Sequence, residues 1–160
     1  MLFEDVSDTA TIVGRETVCS ILETKGSEVW WVSSEATVFE AIALMDEKRV
    51  GALMVVSEGA LVGVISERDY TRKVILRGRS SHETLVREIM SSPAIAVRLQ
   101  DTLAECMRLM TDNRIRHLPV INGRQLVGVI SIGDLIKAII SAQAGAVRQL
   151  SNYISGKYPG

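Results

Sequence analysis

The chain has 160 residues and a formal net charge of −1, which is enough for one ordinary core plus tails. Near-neutrality gives no electrostatic grip on DNA, RNA or an anionic membrane, and the longest apolar stretches fall far short of the ~20 residues a membrane span needs. Hydrophobic residues make up 47% and aromatics only 4%, so a core of Val, Ile, Leu, Met and Ala is expected.

The elements follow in chain order. Residues 1–14 form a leading segment with no basic stretch running into an apolar one, so no secretory signal is expected. Val18–Leu22 is a short apolar segment, and Val29–Val32 reads as a buried strand in which Trp30 and Trp31 face opposite sides. A helix follows, with Val38, Ala41, Ile42, Met45 and Val50 near helical spacing. Thr37 caps it and Glu40 stands three residues on, a capping-box arrangement. Strands over Ala52–Val56 and Leu61–Ser66 flank a Ser-Glu-Gly-Ala hairpin, and a helix runs through Tyr70–Leu76. The polar stretch Arg77–Glu83, which contains His82, is a linker.

The order then recurs. Val86–Met90 resembles Val18–Leu22, and Ala94–Val97 reads as a strand. Thr102 and Glu105 form a second capping box before Leu103, Cys106, Met107, Met110 and Ile115. Strands over His117–Ile121 and Leu126–Ser131 enclose Asn122-Gly123-Arg124, where Asn-Gly is a hairpin signal. A helix covers Leu135–Ala142, and Ala146, Val147, Leu150 and Ile154 continue at helical spacing to pack on their own domain or on a second subunit.

This recurrence is a duplication. Leu61–Ser66 returns letter for letter as Leu126–Ser131, each followed three residues later by an aspartate, Asp69 and Asp134. Shifting Thr37–Ile75 by 65 residues onto Thr102–Ile140 needs no gap, and 15 of 39 positions are identical. Chance would give roughly two or three. Upstream the offset is 68, because the first copy carries three extra residues around Lys25–Glu28.

The shared ending carries the chemistry. A helix start exposes unpaired N–H groups and the positive end of its dipole, a natural cradle for an anion. Ser66 and Ser131 can add a hydroxyl, and Asp69 and Asp134 fall on the first turn. Serine as N-cap and aspartate as dipole partner also explain both pairs without a ligand. Gly63 and Gly128 would let a planar ring approach the strand, or serve packing alone. Cys19 and Cys106 have no metal spacing and read as reduced thiols of a cytoplasmic protein.

The repeated Leu-Val-Gly-Val-Ile-Ser-x-x-Asp, with Asn113–Val120 before its second copy, resembles the CBS domain, and two copies resemble a Bateman module. Ser66–Tyr70 and Ser131–Asp134 are similar to the small stand-alone bacterial signal-transduction proteins of that family. The resemblance implies an α+β fold: two βαββα units, CBS domain 1 over 15–77 and CBS domain 2 over 85–141, packed with pseudo-twofold symmetry. A linker over 78–84 joins them, and a C-terminal helix and tail occupy 142–160.

It further implies two clefts for adenosine-containing ligands: AMP, ADP, ATP, NAD(H) or S-adenosylmethionine. The aspartate would hold the ribose hydroxyls. One cleft would join Ser66, Arg68 and Asp69 to Met90, Pro93, Ile95, Ile115, Arg116, His117 and Pro119. The other would join Ser131 and Asp134 to Lys25, Glu28, Trp30, Val50, Gly51 and Ala52. Arg68, Arg116 and His117 favour the Asp69 cleft for phosphate, because charge-assisted bonds to phosphate are strong.

The expected function is a non-catalytic nucleotide sensor, a homodimer acting on an unidentified protein. No Ser/His/Asp, Cys/His or metal-ligand cluster and no G-x-G-x-x-G turn supports an enzyme. A structural dimerisation module with non-functional clefts is the alternative.

Overall fold

The computed structural model describes residues 15–154, and their side chains through residue 145. The leading segment 1–14, the tail 155–160 and the packing of Ala146, Val147, Leu150 and Ile154 lie outside the described residues. Helix α1 spans Val18–Lys25, followed by β1 (Trp31–Ser33), α2 (Val38–Lys48), β2 (Ala52–Ser57), β3 (Ala60–Ser66) and α3 (Glu67–Tyr70). The last continues as a wide π-helical turn over Thr71–Ile75. Then come α4 (Val86–Ile89), α5 (Leu103–Asn113), β4 (His117–Asn122), β5 (Gln125–Ser131) and α6 (Ile132–Ile154). The structure is thus mixed α+β. Helix α6 continues unbroken through the C-terminal stretch instead of ending near Ala142.

Both expected capping boxes form. Thr37 Oγ1 accepts from the Glu40 amide at 3.2 Å while Glu40 accepts from the Thr37 amide at 3.1 Å. Thr102 and Glu105 repeat this at 3.2 and 3.0 Å. Both helices end alike, with Arg49 and Arg114 left-handed at φ 55° and 54°. The β2–β3 hairpin turns on Glu58 and Gly59, both at positive φ, as a type I′ turn requires. The second hairpin departs from the Asn-Gly expectation. Asn122 ends β4, Gly123 (φ 64°) and Arg124 make the turn, and only the first turn residue has positive φ.

The duplication fails at one strand. In the first copy β1 pairs parallel to β2 with Trp31 opposite Met54, and Met54 donates to the Trp30 carbonyl at 3.3 Å. The equivalent of Met54 is Pro119, which has no N–H to donate. The expected strand Ala94–Val97 therefore shrinks to one parallel bridge between Val97 and Val120. Val97 donates to Pro119 O and Ile121 donates to Val97 O, each at 2.9 Å.

The chain packs as two compact units, and each draws on both copies of the repeat. One comprises residues 27–97 and 119–129. Its sheet β1-β2-β3 buries Leu53, Val55 and Ile65 against Val38, Ala41 and Met45 of α2 and Val86 and Ile89 of α4. The other comprises, among the described residues, 15–26, 98–118 and 130–154. It buries Val18, Ile21 and Leu22 of α1, Leu103, Cys106 and Met110 of α5, and Leu118, Ile130 and Leu135.

The exchange of leading helices explains this division. The first two amides of α4 donate to Ala36 O and Ser34 O at 2.8 and 3.0 Å, and the Val38 amide donates to Thr84 O at 2.8 Å. In the other unit, Val18 and Cys19 of α1 donate to Asp101 O and Leu99 O at 2.9 Å each, and Leu103 donates to Glu16 O at 3.1 Å. Under the offsets of 68 and 65 these are the same three bonds. Each leading helix finds partners for its orphan N–H groups on a loop of the other copy.

Candidate functional site

Each repeated strand hands over to a helix at a serine, and each serine is locked to its aspartate. In the first copy the Ser66 amide donates to Asp69 Oδ2 at 2.9 Å, and the Asp69 amide donates to Ser66 Oγ at 3.2 Å. In the second, Ser131 and Asp134 do the same at 2.8 and 3.1 Å. The capping reading of these residues is therefore realised at both places. Asp69 and Asp134 nevertheless keep 13% and 17% of their side-chain surface exposed, so each carboxylate remains reachable.

A lysine occupies each carboxylate, from opposite sources. Lys73, one turn beyond Asp69 on the same helical run, reaches Asp69 Oδ1 at 3.1 Å and also donates to Ile89 O at 2.8 Å. Lys25, at the end of α1, reaches Asp134 Oδ2 at 2.6 Å. Lys25 was among the residues expected beside Asp134. Lys73 was not named, although its i,i+4 spacing to Asp69 was a usable signal. Burial alone would push the Asp134 carboxyl up, but the bonds from Lys25 and the Ser131 amide outweigh it and hold it below its ordinary value.

The next neighbours come from the same copy. The Glu67 amide donates to Gly51 O at 3.0 Å, and the Ile132 amide donates to Arg116 O at 2.9 Å. The Gly51 carbonyl therefore lies at the Ser66/Asp69 corner, and the Arg116 carbonyl lies at the Ser131/Asp134 corner. His117 begins β4 there. Its half-buried imidazole is pushed below its usual value first by burial, then by the Lys25 cation, with Asp134 opposing and Arg116 adding to the depression. The sequence expectation had grouped Arg116 and His117 with Asp69. The described contacts put the Arg116 carbonyl against the Ile132 amide and the His117 ring within the influence of Lys25 and Asp134.

The remaining expected residues have varied surroundings. Trp30 packs on the core of its unit with Lys48 Nζ 4.3 Å from its ring centre, and Trp31 is 55% exposed. Val50 and Met90 pack on that same core. Met90 and Ser91 fill the space beside Gly63: a Cβ there would lie 2.7 Å from Ser91 O and 2.9 Å from Met90 Sδ. Packing thus accounts for that glycine. Arg68, Glu28 and Pro93 are exposed, Ala52, Ile95 and Ile115 are half-buried, and Pro119 is buried. In the linker, Arg79 pairs with Glu88 at 2.7 Å, and His82 stacks on Phe39 with ring centres 4.0 Å apart.

A cavity of about 210 Å³ lies beside the second corner, between α1 and α6. Lys25, Asp134, Lys137, Glu16, Ser20, Thr24 and Ser141 are in its wall. Ser20 and Thr24 spend their protons on the Thr17 and Ser20 carbonyls, so they present lone pairs to it. Among the described residues no cluster of three or more His, Cys, Asp or Glu could hold a metal, and no helix is long and apolar enough to cross a membrane. Cys19 and Cys106 are free thiols, and burial pushes Cys106 up to about 11.

The CBS domain model matches residues 24–75 and 86–141, more than half of the chain. The chain is 40% identical over 151 residues to the mitochondrial CBS domain-containing protein CBSX3 of Arabidopsis thaliana, covering 89% of this chain and 73% of that one. It is 34% identical over 137 residues to the CBS domain-containing protein YhcV of Bacillus subtilis, covering 86% and 90%. A solved structure from Burkholderia ambifaria, a CBS-domain protein with a signal-transduction name, superposes with a TM-score of 0.75 at 46% identity, covering 79% of this chain and 95% of that one. With two copies of one motif, matched capping boxes and two matched Ser-x-x-Asp corners, the chain belongs to the CBS-domain family as a tandem pair.

Proposed function

We propose that this protein is a non-catalytic regulatory module that binds an adenosine nucleotide (AMP, ADP or ATP, with NAD(H) as a larger ligand of the same kind) at its Ser-x-x-Asp corners. The observation that carries this reading is the repeated carboxylate. Asp69 and Asp134 are each oriented by a serine, partly buried, and neutralised by a lysine. A vicinal diol presents two O–H donors to one carboxylate and can take the lysine's place. Ser66 and Ser131 stand beside it as hydrogen-bonding partners, and the helix start favours a negative group nearby.

The protein would act by changing its affinity for another protein as ligand comes and goes. Its two free thiols suit a reducing compartment such as the cytoplasm. A homodimer is part of the proposal: Ile136 and Ile140 stand one turn apart on α6 and are 47% and 58% exposed. That same apolar face favours the second reading, a purely structural pairing module.

A thermal-shift panel of AMP, ATP, NAD(H) and S-adenosylmethionine on the full chain separates the two. A ligand at one hundred times its Kd raises stability by about 2.7 kcal/mol, so a selective rise with an adenine nucleotide is expected. No rise with any of them leaves only the pairing module.

A further inference from the structure

The two lysines that neutralise the aspartates tie down different things. Lys73 lies on the same helical run as Asp69, so that pair, at 3.1 Å, is an ordinary i,i+4 contact. Its ammonium also donates to Ile89 O of α4 at 2.8 Å, a bond that does not depend on the carboxylate. The residues just past α4 are fixed separately. Ser91 and Val64 exchange backbone bonds at 2.9 and 3.1 Å, and Ser92 Oγ donates to Val62 O at 2.8 Å. Losing Asp69 as a partner of Lys73 therefore leaves α4 held. Lys25 differs. It is the last residue of α1, where a cation would suit the helix dipole without reaching anywhere. Its ammonium instead reaches Asp134 Oδ2 at 2.6 Å, in the first turn of α6 and 109 residues away. That pair joins two separate helices.

Helix α1 is held unevenly along its length. Its start is built in: the Val18 and Cys19 amides donate to Asp101 O and Leu99 O at 2.9 Å each, and Val18 is fully buried. Burial then falls away, through Ile21 and Leu22 at 7% and 8% exposed, to Glu23, Thr24 and Lys25, which are exposed. On one flank α1 faces α6 across the cavity of about 210 Å³. Ser20, Ile21 and Thr24 line one side, and Lys137, Ala138 and Ser141 line the other. A hollow seam forgoes the dispersion contacts that close packing would supply. Lys25 and Asp134 stand in the same wall and bridge the seam. Helix α1 is thus a bar hinged at its first turn and latched at its last. The latch is of a kind that can open, because Lys25 and Asp134 keep 33% and 17% of their side-chain surface exposed and pairs near solvent hold weakly.

Resting on the nucleotide reading of these corners, we propose that the Lys25–Asp134 pair is a latch between α1 and α6, opened by a ligand that takes the Asp134 carboxylate, and that the Asp69 corner binds without this readout. Hydrogen exchange of the α1 amides in the full chain tests it, first without ligand. Lys25→Met and Asp134→Asn are each expected to quicken α1 exchange about fivefold, the upper end for an exposed ion pair. The double variant should be no faster than either, since all three lose the same bond. Lys25→Arg should keep exchange slow, and Asp69→Asn should leave α1 as it is. Circular dichroism verifies the fold of each variant. AMP is then the probe. At saturation it should quicken α1 by about the same factor in the wild-type and Asp69→Asn chains and leave the already fast Asp134→Asn chain unchanged. Unaltered α1 exchange in both ligand-free Lys25→Met and Asp134→Asn overturns the latch. So does, given a wild type that binds AMP, an Asp69→Asn chain in which AMP fails to bind or binds without quickening α1. A wild-type chain that binds no AMP by calorimetry overturns the nucleotide reading, and the ligand-free variants still decide the latch.

Discussion

At the scale of single residues, two glycines and one histidine make the structure testable. A methyl group at Gly63 would collide with Ser91 O, a backbone oxygen held by the Val64 amide at 3.1 Å. Gly63→Ala is therefore expected to cost about 1–3 kcal/mol by overpacking. Gly51→Ala meets only Glu67 Oε2 at 3.9 Å and should change stability by less than about 0.5 kcal/mol. Urea unfolding of the two variants checks the contrast. His117 sits below its ordinary value of 6.5 because it is buried near Lys25. The unfolded chain then binds the proton first as pH falls, so stability is full above 6.5 and declines below it. Thermal melts between pH 7.5 and 5.5 should show this decline, and His117→Gln should remove part of it. Asp134, held below its ordinary 3.8, contributes stability that is lost only as pH falls further.

At the scale of elements, the caps and one strand carry the argument. Thr37→Ala and Thr102→Ala each remove an N-cap from an 11-residue helix and should each cost about 1 kcal/mol, read as a shift in the denaturation midpoint. Met54 and Pro119 occupy the same place in the repeat, yet only Met54 donates to the preceding strand. Met54→Pro should reproduce in the first copy what the second copy already shows. It would orphan the Trp30 carbonyl at a cost of about 1–3 kcal/mol, and exchange of the β1 amides should quicken. The hairpins were legible from Gly59 and Gly123. Which residues take the turn was not, because pairing at the strand ends decides it.

At the scale of the molecule, the swapped leading helices decide what folds. Val86 and Ile89 of α4 are buried in the unit built on β1-β2-β3, although they belong to the second copy. A fragment of residues 15–77 lacks them and should be largely unfolded by circular dichroism. Residues 27–97 retain them together with all three strands and should show clearly more structure. A folded 15–77 fragment would contradict the interleaved units. The same interleaving carries Lys25, from the first copy, onto Asp134, from the second.

The sequence by itself determined the duplication, the family, the capping boxes and the two Ser-x-x-Asp corners. These depend on local spacing, and local spacing is written in the residue order. The family resemblance puts Lys25 beside Asp134 and the i,i+4 spacing offers Lys73 to Asp69, but their bonds form only in the tertiary structure. Lys25 and Asp134 are 109 residues apart, and no spacing rule brings them together. The Arg116 carbonyl and the His117 ring join them because one amide bond ties α6 to the start of β4. Tertiary structure also decided that Pro119, read as one wall of a cleft, is buried and leaves its partner strand a single bridge. The loss follows from a missing N–H, which matters only once another strand lies alongside.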